Sequence, residues 1–283
     1  MLLFKQVAGL QSWLENERRA GKTVGFVPTM GALHSGHLSL VEASRIDCDR
    51  TVVSIFVNPT QFNDPKDLEK YPRMPEKDIA LLDGAGCDAL FMPPVEEVYP
   101  PGQDVAVQLD FGQLDKVMEG EFRPGHFAGM ATVVNRLLEI VGPQRLYMGQ
   151  KDFQQLTIVR DMLRQLGSKV ELIRCPTSRE ADGLAMSSRN LRLSPEQRAA
   201  APEIYRSMQA AKSALEAGES AAAVQAQALE RLRAAGLEPE YFDIVDGDSL
   251  LPVATLSAGN FVVVCVAAWA GTVRLIDNLV VKE

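Results

Sequence analysis

No stretch of the chain is rich enough in lysine and arginine to offset a formal charge of −8 and a pI near 5.1. Nonspecific attachment to nucleic acid therefore has little electrostatic support, and only a local basic pocket for phosphates stays open. Cysteine is scarce: Cys48, Cys87, Cys175 and Cys265 stand far apart with no C-x-x-C pair, which reads neither as a zinc site nor as a disulfide framework and fits a reducing cytoplasm. Long apolar runs are missing too. Phe261 to Ala270 covers about half of the ~20 residues a membrane-spanning helix needs, and its valines suit a buried strand. The amino terminus, MLLFKQVAGLQSWLENERRAGK, meets charge within a few residues and lacks the apolar core and cleavage site of a signal peptide. A soluble cytoplasmic protein is expected, with neither membrane nor nucleic acid as partner. No internal repeat is present, and histidine occurs only three times.

What is there suffices for a large core. Hydrophobic residues make up 46%, and 283 residues exceed the usual single domain of ~100 to 200, so two domains are expected. As far as Cys175, short apolar runs alternate with amphipathic segments, the pattern of βαβ units with a parallel sheet. Candidate strands are Thr23 to Val27, Thr51 to Val57, Ala89 to Met92, Arg145 to Met148 and Val170 to Ile173. Met130, Val133, Val134, Leu137, Leu138 and Val141 make one apolar helical stripe. A polar break at Pro176 to Asn190 precedes Ala-rich helical text from Pro195 to about Ala235. The strand-like runs Tyr241 to Val245, Phe261 to Trp269 and Val273 to Val281 follow, the last two joined by Ala270 and Gly271 as in a tight hairpin. The expected division is an α/β nucleotide-binding domain over 1–176 and a smaller α+β domain over 177–283.

The first long strand, TVGFV, runs through PTMGALHSGH into the amphipathic LSLVEASR, a strand-to-helix turn of the kind at which α/β folds bind nucleotides. Gly31 and Gly36 permit close approach of phosphate oxygens, and the helix start favours negative charge. His34 and His37 fall on one side of a helical turn, where two imidazole donors could hold a triphosphate. Taken alone, an H-x-x-H pair is compatible with a surface or capping role. A zinc site would need further ligands, and no Cys or third His lies near in sequence. Two of three histidines flanking a glycine at such a turn favour the nucleotide reading.

Other residues gather around the same logic. Asn58 and Gln61 would emerge at the carboxyl end of the second strand, where Gln61 could orient a hydroxy acid, although Asn-Pro-Thr-Gln is also an ordinary turn. NDPKDLEKYPRMP, from Asn63 to Pro75, reads as an exposed loop able to cover a site, with Tyr71 and Arg73 pointing inward or into solvent. Asp78 could lie near a metal, but Leu81 one turn later offers no ligand. Arg123 and His126 put positive charge at a helix start, which opposes the helix dipole unless an anion binds; a buried His bonded to backbone is the alternative. Gly149, Lys151 and Asp152 repeat the strand-turn-helix pattern, and Lys-Asp is also a common solvated pair. The segment TSREADGLAMSSRNLRLS supplies two hydroxyls and a guanidinium on one loop.

His34-Ser35-Gly36-His37 resembles the H-x-G-H signature of class I aminoacyl-tRNA synthetases and related nucleotidylyltransferases, and the longer PTMGALHSGH is similar to pantothenate synthetases in particular. Met186-Ser187-Ser188-Arg189 resembles a degenerate KMSKS loop, with Ala185 where that motif begins with lysine. The resemblance runs from about Gly25 to Leu193. It implies a Rossmann-like parallel-sheet domain with a smaller C-terminal lid, and a reaction in which pantoate is adenylated by ATP, with Mg2+ on the phosphates, before the β-alanine amine displaces AMP. It further implies that His34, His37, Lys151 and Arg189 serve catalysis, with His37 as proton donor to the departing phosphate. ATP would be bound by Met30, Gly31, Gly36, Gly149, Gln150, Asp152, Ser178, Met186, Ser187 and Ser188 together with those four. Gln61 and Gln155 would contact pantoate, with Asn58, Tyr71, Arg123 and His126 also on the substrate side, and the enzyme would be a homodimer. Three other classes remain open from sequence: a nucleotidylyltransferase that stops at a nucleotide conjugate, a tRNA-recognising relative, and a non-catalytic ATP-binding regulator.

Overall fold

The computed structural model describes residues 1–61, 68–69, 71–257 and 259–283. The expected covering loop at 63–75 thus falls partly outside the described residues. The chain divides into two compact units: Met1–Phe111 with Gly120–Gly149 and Ile158–Cys175, and Gly112–Glu119 with Gln150–Thr157 and Pro176–Glu283. The second holds more than the expected 177–283, because two segments from earlier in the chain join it.

In the first unit the strands β1 (Leu2–Phe4), β2 (Val24–Thr29), β3 (Arg50–Ile55), β4 (Ala89–Phe91), β5 (Arg145–Gly149) and β6 (Glu171–Cys175) form one parallel sheet in the order β1-β4-β3-β2-β5-β6. Val24, Phe26, Val27, Val52, Val53, Leu90 and Leu146 are wholly buried, as strands covered on both faces must be. Helices α1 (Val7–Arg19), α2 (Ser35–Asp47), α3 (Pro75–Gly84) and α4 (His126–Val141) lie between the strands in sequence. The stripe expected in α4 is the one buried, and Gly142 ends the helix with φ 53°. Helix α5 (Phe153–Gln165) begins in the second unit's segment and continues in the first.

From β2 the chain builds outward through β3 to β4 on one side, while β5 and β6 occupy the other. The order reverses between β2 and β5, which pair at Gly25–Arg145 and Phe26–Leu146. A crevice beyond the carboxyl ends of strands at such a reversal is where open α/β sheets bind ligands. Those ends carry the Thr29–His37 turn and Gly149. The expected strands are all present with shifted bounds, and β1 is an addition: three residues at the sheet edge are too few to show a period.

The second unit is an antiparallel sheet of β7 (Glu238–Asp246), β8 (Val262–Ala270) and β9 (Val273–Lys282), with Gly271 (φ 60°) in the expected hairpin turn. Helices α6 (Glu203–Glu216) and α7 (Ala221–Ala234) belong to it; Ile204, Met208 and Leu232 bury against Val264, Val266 and Leu275. Met118 and Phe153 pack with Val263 and Cys265. Buried polar bonds attach the two early segments. The Arg274 guanidinium donates to Glu119 at 2.6 and 2.8 Å and to Glu240, and Gln154 Nε2 donates to the carbonyls of Leu114 and Val117 at 2.7 and 2.8 Å.

Candidate functional site

In the first unit the β2–α2 turn is held from below. Thr29 Oγ1 donates to Ser54 O (2.7 Å) and accepts from Gly31 N (3.2 Å). Gly31 needs its φ of 83°, and a Cβ there would lie 3.0 Å from both Asp78 Oδ2 and Ile55 Cγ2. Ala32 follows with φ 52°, a conformation uncommon for a residue with a side chain. Asp78, on α3 and 1% exposed, fixes it by accepting Ala32 N on Oδ2 (2.9 Å) and Leu33 N on Oδ1 (2.8 Å). Each carboxylate oxygen of the buried Asp78 thereby holds one backbone N–H, which gives the side chain a structural role in the turn. Among the described residues no group of three or more His, Cys, Asp and Glu side chains is placed to hold a metal ion.

His34 caps α2: its Nδ1 accepts from Gly36 N (3.2 Å), while His37 Nδ1 accepts from His34 N (3.3 Å). This is a capping box in which an imidazole replaces the usual Glu or Gln. The capping and the nucleotide readings of the pair are compatible. With Nδ1 occupied as an acceptor, a neutral ring carries its proton on Nε2, so both rings are set as donors on that side. The ring centroids are 4.1 Å apart at 47°, which places the two on one face of the turn.

Gln61 ends a 3-10 turn, Pro59–Gln61, and is 8% exposed. Its Nε2 donates to Met30 Sδ (3.1 Å), and its Oε1 accepts from Asn58 Nδ2 (3.2 Å), so the amide orientation is set against the histidine turn. Asn58, expected to reach toward substrate, is 1% exposed and committed to protein. Its Nδ2 also donates to Gly129 O (3.3 Å), and its Oδ1 accepts from Thr60 N, Thr60 Oγ1 and Tyr99 OH at 3.3, 3.1 and 2.8 Å. Burial raises the Tyr99 phenol above its ordinary 10.0, against the two side-chain hydrogen bonds it makes. His126 is 5% exposed, with Nδ1 3.0 Å from Gln61 O; a carbonyl only accepts, so Nδ1 carries the proton. His126 is thus buried and bonded to backbone through Nδ1, and it fixes the Gln61 main chain. Arg123 and Tyr71 are half-buried. Tyr99, Gly129 and the clasp role of Asp78 were not found from sequence; only spatial neighbours far apart in the chain reveal them.

The second unit supplies its own cluster. The 3-10 turn Gln150–Asp152 presents Lys151, whose Nζ is 3.8 Å from Asp152 Oδ1. Gln150 Nε2 donates to Asn278 Oδ1 (3.2 Å). Gln155 is half-buried on the first turn of α5, whereas Gln154 is buried and bonded to the main chain of residues 114–119. A short antiparallel bridge, Arg179 to Ala185, with Met186 N donating to Ser178 O (2.9 Å), delivers the Met186–Arg189 segment. Ser187 caps the following turn by accepting Arg189 N (3.2 Å). Lys151, Ser187, Arg189, Asn190, Arg274 and Asp277 line one concavity. Arg274 is neutralised by two glutamates, so the cations that can draw an anion there are Lys151, whose ion pair to Asp152 is long at 3.8 Å, and the exposed Arg189. Burial raises Asp277 above the ordinary 3.8, and the Arg179 guanidinium bound to it opposes that rise.

A parallel α/β sheet with a histidine donor pair on the turn at its order reversal defines a nucleotide-binding fold of the H-x-G-H type. Residues 2–280 match the family model described as pantoate-beta-alanine ligase. A pantothenate synthetase of Porphyromonas gingivalis is 49% identical over 280 residues, covering 99% of both chains, and one of Moorella thermoacetica is 45% identical over 100% of this chain and 99% of that one. The crystal structure of pantothenate synthetase from Thermus thermophilus superposes with a TM-score of 0.92 at 48% identity, covering all of both chains. That of pantoate-beta-alanine ligase from Francisella tularensis, complexed with beta-gamma ATP and beta-alanine, gives 0.83 at 32% over 100% of this chain and 98% of its own. The chain belongs to the pantoate–β-alanine ligase family and is an enzyme of pantothenate biosynthesis.

Proposed function

We propose that this enzyme condenses pantoate with β-alanine at the expense of ATP, giving pantothenate, AMP and pyrophosphate through a pantoyl adenylate. The observation that carries this reading is the His34–His37 pair, its Nδ1 atoms held by the helix start and its Nε2–H groups set as donors at the carboxyl end of β2. The ATP and β-alanine in the Francisella structure, in a relative alike over the whole chain, support the substrate assignment.

In the first half-reaction a pantoate carboxylate oxygen attacks the α-phosphorus, and the bond to pyrophosphate breaks. The carboxyl group gains AMP as a leaving group, and the β-alanine amine then attacks the carbonyl carbon and expels it. Charge builds on phosphate oxygens in the first step, so fixed N–H donors and cations aimed there lower its barrier. His37 donates to the departing phosphate, His34 adds a hydrogen bond from its Nε2–H, and Lys151 and Arg189 neutralise the charge. Met30, Gly31, Gly36, Gly149, Gln150, Asp152, Ser178, Met186, Ser187 and Ser188 complete the nucleotide's contacts. A Cβ on Gly149 would meet nothing within 4 Å, consistent with a glycine kept for a ligand's approach and not for packing. Gln61 and Gln155 hold pantoate, with Tyr71 and Arg123 on the same side, while Asn58 and His126 keep Gln61 in place. Magnesium is carried by the nucleotide's phosphates. The enzyme acts in the cytoplasm as a homodimer.

The test is an assay of pantoate, β-alanine and MgATP with each omitted in turn. Pantothenate and AMP should form together only in the complete mixture, and without β-alanine pyrophosphate release should stop after one turnover. A nucleotide conjugate accumulating as the end product, with no amide, would replace this reading with that of a nucleotidylyltransferase.

A further inference from the structure

The Lys151 turn and the Met186–Arg189 segment are far apart in sequence, yet both are tied to two consecutive residues of the edge strand β9. Asn278 is 1% exposed, and its whole amide is committed: Nδ2 donates to Gln150 O and Lys151 O, both at 2.8 Å, and Oδ1 accepts from Gln150 Nε2. The backbone beneath Lys151 is thus fixed by a buried side chain. Asp277, 5% exposed, takes Arg179 in a two-pronged grip, Nη1 to Oδ2 at 2.5 Å and Nη2 to Oδ1 at 3.1 Å. Arg179 Nη1 also donates to Gly183 O (3.1 Å), Nη2 to Asn278 O (3.3 Å), and the guanidinium lies 4.0 Å from the Tyr205 ring centroid. Gly183 is required for that stack, because a Cβ there would lie 2.3 Å from the Tyr205 ring. Arg179 opens the bridge that ends at Ala185, directly before Met186.

Successive strand residues point to opposite faces, so one dipeptide can address structures on both sides of an edge strand. Asp277 shares its face with Leu275 and Leu279, packed with Tyr205; Asn278 shares its face with Val280, packed with Phe153 just after the Lys151 turn. The two structures it grips carry Lys151, Ser187 and Arg189, which line one concavity with Asp277.

We propose that Asp277 and Asn278 are positioning residues that hold the Lys151 turn and the Ser187–Arg189 arm in register for adenylate formation. This rests on the function proposed above. Lys151 and Arg189 face charge that develops on pyrophosphate, which has left before β-alanine reacts. Loss of register should therefore burden the first half-reaction and spare the second.

The experiment compares the two steps in Asn278→Ala and in the isosteric Asp277→Asn. Pantoate-dependent pyrophosphate release from MgATP should slow by ~10 to 100-fold, as expected when reacting groups are displaced by about an ångström. Conversion of synthetic pantoyl adenylate and β-alanine to pantothenate should stay within about twofold of the parent enzyme. Equal losses in both steps, or none in either, overturn the proposal. So does failure of both variants to fold, which would assign the dipeptide to stability alone. If the parent enzyme releases no pyrophosphate with pantoate and MgATP, it is the proposed function that falls.

Discussion

His34 and His37 each do two things with one ring. The Nδ1 atoms satisfy N–H groups at the start of α2, which would otherwise lack partners, and that bond decides which nitrogen bears the proton. A substitution therefore removes a cap and a donor together, and the two losses differ in size. His37→Ala should cost ~1 kcal/mol of stability, the usual value of a capping interaction. It should lower turnover by ~100 to 1,000-fold, the usual cost of losing one donor to a developing oxyanion. Urea unfolding and a steady-state AMP assay measure both, and near-normal turnover would remove His37 from the chemistry. The histidines were legible because they are so few and stand at a strand-to-helix turn. Their mutual capping was not, because an imidazole at the position normally held by Glu or Gln is not part of the usual signature. The same holds for Asn58: the sequence places it correctly at the end of β3, but only the bonds from Tyr99 and to Gly129 reveal that it faces protein.

At the scale of elements, hydrophobic period carried most of what could be read. Helix α4 shows its stripe in sequence and buries that stripe, and β8 with β9 forms the expected hairpin around Gly271. The order of the parallel strands, and with it the reversal between β2 and β5, is set by which way each crossover turns, and no local pattern records that. Close approach between elements is equally silent. Gly129 sits inside α4 and reads as a weak point in a helix, yet a Cβ there would lie 2.4 Å from Thr60 O, a main-chain atom that cannot swing aside. The glycine lets α4 rest against the Asn58–Gln61 turn. Gly129→Ala should push them apart, with a loss of ~1 to 3 kcal/mol typical of overpacking. It should raise KM for pantoate more than KM for ATP, since Gln61 shifts while the histidine turn keeps its Asp78 clasp. Denaturation midpoints and paired KM measurements decide it; a variant as stable as the parent, with unchanged pantoate KM, would mean the helix has room to spare.

For the whole molecule, a change in composition marks residue 176 in the sequence, while nothing local marks Gly112–Glu119 and Gln150–Thr157 as members of the second unit. That membership depends on Arg274 meeting Glu119 across 155 positions of sequence and on Gln154 bonding the main chain of another segment. Cysteine spacing points to free thiols, and burial gives three of them a consequence for stability. Burial pushes Cys87 from the ordinary 9.0 up to about 12 and Cys175 to about 11, and raises Cys265 further still. A thiol that binds its proton more tightly folded than unfolded favours the native state below the unfolded value, and the benefit is lost as pH climbs through the folded value. The stability these thiols contribute should accordingly hold level up to pH 9.0 and decline as pH rises from there toward about 11 and 12. Cys87→Ala takes one such thiol away, so its unfolding free energy should fall less steeply than the parent's across that window. Urea titrations at stepped alkaline pH compare the two slopes. Parallel slopes would show that the Cys87 thiol does not govern the alkaline limit, and that other groups set it.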